Sequence, residues 1–235
     1  MLEPLLLPNK IQFMRGDRPH EGVLVVEPCA QGYGTTLGNA LRRVLLSSLS
    51  GAAVIAVRIK GVDHEFSTAS HVKEDILEII LNLKLLRAKV FSDEPVKLSL
   101  SVKGERAVVA SDFSKDALVE IVNPELHIAT LTDSSASFDM EIWVGKGRGY
   151  RPTEERVKEK LELGTIAVDA LYSPIVNVSY KVEATRVGDK TDYDKLVLKV
   201  ETDGTLDPVD AVNQAVGILN DYVNVLKELS YTDAA

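Results

Sequence analysis

The stretch VVEPCAQGYGTTLGNALRRVLLSSLSG, Val25 to Gly51, runs from an apolar, strand-like segment through three glycines into a helical pattern. Two folds compete for it. A glycine-rich turn between strand and helix is the phosphate-cradling element of doubly wound nucleotide folds, in which backbone N–H groups at a helix N-terminus face an anion. Glycines also let a chain reverse tightly and let a helix lie close to its neighbour. Spacing separates the two. Gly32-Tyr33-Gly34-Thr35-Thr36-Leu37-Gly38 is one residue too long for G-x-G-x-x-G, and no Walker lysine follows. The acid expected at the tip of the next strand is missing: that strand ends at Lys60, and Asp63 lies past the Gly61 turn. We therefore read Gly32 and Gly34 as permitting the reversal and Gly38 as admitting a close neighbour. A small nucleotide-binding enzyme using the Gly32–Gly38 loop is the alternative.

Helical periodicity follows the loop. Leu37, Ala40, Leu41, Val44, Leu45 and Ser48 predict a helix over 35–48, with Thr35 or Thr36 as N-cap and Gly51 beyond the end. Arg42 and Arg43 point about 100° apart on it, so they cannot both follow the apolar stripe; each can offer a bidentate fork to a carboxylate or phosphate, or lie exposed to solvent. A second helix is expected over about 72–86, with Ile76, Ile79, Ile80 and Leu83 inward. The third runs from Pro208 to Leu229, with Asp207 as N-cap and Pro208 at the first helical position. It carries two seams. Val209, Val212, Val216, Leu219, Val223 and Leu226 step by three and four, and so do Ala211, Ala215, Ile218, Tyr222, Val225 and Leu229. One stripe can cover a sheet while the other meets a partner chain; the competing reading is a helix sandwiched inside its own domain. A terminal helix has little sequence after it to cover an outer face, which favours an oligomer contact.

The remainder alternates as strands do. Val96, Leu98, Leu100 and Val102 face one side, as do Phe138, Met140, Ile142 and Val144. Further strands are expected over 23–26, 53–60, 175–183 and 195–202. Turn signals at VKGER, VNPEL and TDSSAS join short strands without helices, which predicts antiparallel hairpins. Small turns at SLSGAA and YSPIV suggest boundaries: a discontinuous domain, 1–50 plus 175–235, with a mainly β domain, 51–174, inserted into it.

At 235 residues and 45% hydrophobic content the chain has ample core-forming material. No apolar run approaches the roughly 20 residues of a membrane span, and the N-terminus lacks secretory features, so a cytoplasmic protein is expected. A net charge of −8 argues against strong direct DNA binding through a phosphate-binding surface, and 6% aromatic content is low for base stacking. The single Cys29 excludes an internal disulfide, and His20, His64, His71 and His127 have no ligand-like spacing. Asp192 and Asp194 share a face of an extended segment, as a metal pair would or as solvated charges at a turn would. The Gly145–Pro152 loop, GKGRGYRP, is basic and could touch phosphate, a protein partner or water alone. VDHEF, with His64 and Glu65, is too compact for a zinc-protease helix, and no G-x-S-x-G motif occurs. No catalytic site, metal or cofactor is expected.

Six blocks in order, GYGTTLGNALRRVLLSSLSGAAV, HEFSTASHVKEDILEIILNLK, VNPELHIATL, GRGYRP, VDALYSPI and VEATRVGDKTDYDKLVLKVETDGT, are spread over residues 32–205. Together they resemble the N-terminal domain of the bacterial RNA polymerase alpha-subunit family. The resemblance implies an α+β fold: an antiparallel sheet with two helices forming a dimerisation domain, interrupted by a mainly β insert. It implies a homodimer that assembles the beta and beta-prime subunits for transcription. The dimer interface would use Leu37, Leu41, Val44, Leu45, Val212, Val216, Leu219, Tyr222, Val223 and Leu226. Beta would meet Arg43, Leu46 and Glu78; beta-prime would meet Lys84, Val168, Asp169 and Arg186. Leu46 lies outside the inward stripe, as an exposed contact residue should. EPCAQGYG carries less charge than the family's usual approach to the loop. The family's C-terminal DNA- and activator-binding module has no counterpart in this sequence, so those activities are not assigned to it.

Overall fold

The computed structural model describes residues 5–156, 162 and 164–227. The chain begins with strands Lys10–Arg15 (β1) and Glu21–Cys29 (β2), helix Tyr33–Ser47 (α1), strand Ser50–Ile59 (β3) and helix Ile76–Leu83 (α2). Shorter strands follow: Ala88–Val90 (β4), Val96–Lys103 (β5), Arg106–Val109 (β6), Val119–Ile121 (β7) and His127–Leu131 (β8). Next come Ser137–Arg148 (β9), Tyr150–Arg151 (β10), Thr165–Ala167 (β11) and Ala170–Leu171 (β12). The long strands Ile175–Val187 (β13) and Lys190–Thr202 (β14) lead to helix Pro208–Leu226 (α3). The chain divides into two compact units, residues 1–49 with 174–235, and residues 50–173.

In the discontinuous unit, β1, β2, β14 and β13 form an antiparallel sheet in that order. Alternation sets its inner face. Leu24 lies opposite Leu198, Val26 opposite Leu196, and Val178 opposite Val200. These residues form one core with Leu41 and Leu45 of α1 and Ala211, Val212 and Ala215 of α3, so both helices lie on the same face. Asp207 caps α3 as expected, its carboxylate accepting the Val209 N–H at 2.9 Å, with Pro208 next. The helix extends to Leu226; Glu228 and Leu229, which the sequence reading placed on it, lie outside the described residues.

In the other unit, β11, β3, β9 and β5 form a second antiparallel sheet. The predicted alternation is met: Leu98 pairs with Ile142 and Leu100 with Met140, all buried against Ile76, Ile79, Ile80 and Leu83 of α2. The opposite face is polar around Arg58 and Glu141 and carries a small apolar cluster of Ala53, Ile55, Ala170 and Tyr172. Arg58 pairs with Glu141, and Arg58 and Lys97 each lie 5.6 Å from the centre of the Trp143 ring. Short ribbons, β4–β7, β6–β8 and β10–β12, complete the unit.

α2 begins later than its periodicity predicts. Val72 bridges to Leu131, and the Lys73 N–H donates to the Thr130 carbonyl at 3.0 Å. Glu74 is buried, accepting the Thr130 N–H at 2.6 Å and the Thr130 hydroxyl at 2.8 Å, with His127 Nε2 at 3.0 Å. These bonds hold the segment extended along β8. The helix starts only where Asp75 caps it by accepting the Glu78 N–H at 2.7 Å.

Candidate functional site

The glycine loop makes the reversal, and its donors are engaged. Gly32 has φ 87°, a conformation that favours glycine, and serves as the N-cap of α1 without a capping side chain. The predicted caps, Thr35 and Thr36, lie inside the helix, which starts at Tyr33. Asp194 of β14 supplies the cap instead. Its Oδ2 accepts the Gly32 N–H at 2.9 Å and the Gly34 N–H at 3.1 Å. The donors that would cradle a phosphate therefore hold the chain's own carboxylate, at the positive end of the helix dipole. This also accounts for Asp194, which the sequence left open between a metal pair and solvated charge. Among the described residues no group of three or more His, Cys, Asp or Glu is arranged to hold a metal.

Gly34 and Gly38 meet one requirement. A Cβ on Gly34 would lie 2.9 Å from the Asp194 Cβ and from Val182 Cγ1; one on Gly38 would lie 2.5 Å from the Tyr180 ring. Gly34 therefore serves helix–sheet contact rather than the reversal assigned to it, and Gly38 admits the sheet of its own unit. Cys29 is buried, and that burial, with Asp194 nearby, pushes its thiol up and away from the thiolate that a nucleophile requires.

The residues read as a dimer face fall into two groups. Leu41, Leu45 and Val212 are buried in their own unit's core, where their side chains hold the helices to the sheet. Leu37, Val216, Tyr222, Val223 and Leu226 are exposed, and Val44 and Leu219 are half-buried. α3 changes along its length. Ala211, Val212 and Ala215 are covered by the sheet and α1, whereas every residue from Asn220 to Lys227 is exposed.

The remaining positions separate by environment. Arg42 turns back, its Nε donating to the Val178 carbonyl at 3.3 Å, while Arg43 is exposed and its guanidinium has no partner among the described residues. Leu46 is exposed three residues on. Glu78 is exposed on α2, beside a leucine stripe that sequence reading missed: Leu77, Leu81 and Leu85 all point outward at fourfold spacing. The signal was present, but the inward isoleucines drew the helical assignment. Lys84 and Asp169 are brought together, Nζ to Oδ2 at 2.9 Å, and the Asp169 carboxyl is held low by Lys84 and by the Thr153 N–H. Val168 is 1% exposed: its side chain belongs to the core, and its N–H donates to the Ile55 carbonyl at 3.0 Å. Arg186 is exposed at the β13–β14 turn, where its Nε donates to the Gly188 carbonyl at 2.6 Å.

Among the described residues no helix is long and apolar enough to cross a membrane. Comparison with known proteins adds identity to this geometry. The family model described as the RNA polymerase Rpb3/RpoA insert domain matches residues 57–173, within the 50–173 unit. The DNA-directed RNA polymerase subunit alpha of Alkaliphilus oremlandii (strain OhILAs) is 49% identical over 209 residues, 89% of this chain and 66% of that protein. The subunit alpha of Oceanobacillus iheyensis is 48% identical over 209 residues with the same coverage, so the match spans about two thirds of each relative's length. The chain belongs to the bacterial DNA-directed RNA polymerase alpha-subunit family, in the part that forms the N-terminal domain.

Proposed function

We propose that this chain is a non-catalytic assembly scaffold: it pairs with a second copy through α1 and α3, and the pair gathers the beta and beta-prime subunits of a DNA-directed RNA polymerase. The observation that carries this reading is the exposed apolar end of α3. Tyr222 and Val225 are 74% and 71% exposed, and Val216, Val223 and Leu226 accompany them. A contiguous apolar surface of that kind marks a contact site. α1 packs beside α3 and contributes Leu37 and Val44. The proposed dimer face is thus Leu37, Val44, Val216, Leu219, Tyr222, Val223 and Leu226, with Val225 added. Beta contact is proposed at Arg43, Leu46 and Glu78, and beta-prime contact in the regions of Lys84, Val168, Asp169 and Arg186. The proposed work is cytoplasmic and needs no cofactor, no membrane attachment and no strong direct DNA contact.

Co-purification with beta and beta-prime tests the scaffold directly, and failure of the wild-type chain to retain either subunit refutes it. Sedimentation at micromolar concentration should give a dimer, with Tyr222→Lys and Val223→Lys together shifting it to monomer; a wild-type monomer would end the dimer reading. Arg43→Ala should keep the dimer and weaken beta capture about tenfold or more, as loss of an arginine at an interface hot spot does. Loss of the dimer with normal capture would overturn that residue's role.

A further inference from the structure

Two side chains assigned by resemblance to a partner are engaged with each other. Lys84 stands at the C-cap of α2, and Asp169 lies in the link between β11 and β12. The ammonium and Oδ2 are 2.9 Å apart, with about a third of each side chain exposed. The second carboxylate oxygen, Oδ1, accepts the Thr153 N–H at 2.9 Å. On either side of Asp169, Val168 and Ala170 are buried, and Ala170 pairs with Arg151 in the β10–β12 ribbon. One carboxylate therefore ties three segments: the end of α2, the β11–β12 link and the turn after β10. A partner acid seeking Lys84 would have to displace a charged, hydrogen-bonded group already in place, and a partner base seeking Asp169 would have to displace Lys84.

We propose that Lys84 and Asp169 are positioning residues, forming an intramolecular clasp that holds the β10–β12 ribbon, and with it the end of β9 that leads into the ribbon where the sequence predicted a basic loop, for the large subunit. This inference rests on the scaffold function proposed above. It moves direct contact from the charges of the pair to the segment they hold. Lys84 and the Thr153 N–H keep the Asp169 carboxyl below the usual carboxylate range, so Asp169 stays ionised throughout the neutral range.

A double-mutant cycle on the whole chain tests it. Lys84→Met keeps the apolar stem and removes the charge; Asp169→Asn keeps an acceptor for Thr153. Each single variant should weaken beta-prime capture by about tenfold, and the double variant by no more than the worse single, as for residues acting as one unit. Hydrogen exchange at the Thr153 amide should rise several-fold in Lys84→Met, although Lys84 does not touch that amide. Additive losses of capture, normal capture by both single variants, or unchanged Thr153 exchange would each overturn the clasp as a positioning device. If the wild-type chain captures no beta-prime, the scaffold reading fails separately, and Thr153 exchange alone decides the clasp: faster exchange supports it and unchanged exchange overturns it.

Discussion

Replacing Asp194 by alanine tests whether a carboxylate from β14 completes α1. The change removes the acceptor of two N–H groups, Gly32 at 2.9 Å and Gly34 at 3.1 Å, and keeps the Cβ that packs against Gly34. α1 has no capping side chain of its own and no acidic residue in its first turn. A side-chain cap contributes about 0.5–2 kcal/mol, and an anion at a helix N-terminus about 0.3–1 kcal/mol. Water can replace the bond at exposed Gly32, whereas Gly34 is buried and leaving its N–H unpaired costs about 1–3 kcal/mol. One carboxylate supplies all three effects, so they overlap, and a loss of about 2 kcal/mol is expected. Asp194→Asn keeps an acceptor oxygen without the charge and should lose about half as much. Urea unfolding followed by circular dichroism reads this unit well, because α1 and α3 contribute 15 and 19 helical residues against 8 in α2. With a slope of roughly 2 kcal/mol/M, the alanine variant's midpoint should fall by about 1 M. The vacated N–H groups should then accept an anion, so phosphate should stabilise the variant beyond its general effect on the wild type. An unchanged midpoint would refute the cap, and equal phosphate responses would refute the anion-site argument.

Two further substitutions test the packing. Burial alone would raise the pKa of Glu74, but hydrogen bonds from His127 and Thr130 outweigh it and hold the carboxyl below its ordinary value. The unfolded chain therefore binds more protons in that window: the contribution is complete above roughly pH 4–5 and is lost as pH falls through the folded value. Glu74→Gln should cost about 1–3 kcal/mol at neutral pH and flatten the acid limb of the stability curve; parallel limbs for variant and wild type would count against it. Gly38→Ala should destabilise by about 1–2 kcal/mol despite a helix-propensity gain of about 1 kcal/mol, because its Cβ would meet Tyr180 at 2.5 Å. A higher melting temperature would show that the helix can lift from the sheet without cost.

These residues also show where sequence reading succeeds and where it stops. The alternation of β5 and β9 and the Asp207–Pro208 start of α3 are local patterns, and the structure contains them as read. The Asp194 cap joins residues 160 and 162 apart in sequence, and Glu74 bonds Thr130 across 56, so neither was visible in a window of neighbours. Both override local signals: one moves the start of α1 forward, and the other delays α2 despite helical periodicity. The seams of α3 illustrate the same limit in another form. Periodicity reports that two stripes are apolar but not how far the sheet reaches beneath them. Once burial ends near Ile218 and Leu219, residues of both seams beyond that point face outward together. Before that point Val209 and Val216 of the first seam are already exposed while Ala211 and Ala215 of the second are buried, so an outward and an inward side exist only as far as the sheet reaches. Ala211, Val212 and Ala215 anchor α3 to its sheet, and Val216 with the apolar C-terminal half is left for a partner, so substitutions at Val212 should act on stability while those at Tyr222 and Val223 act on association.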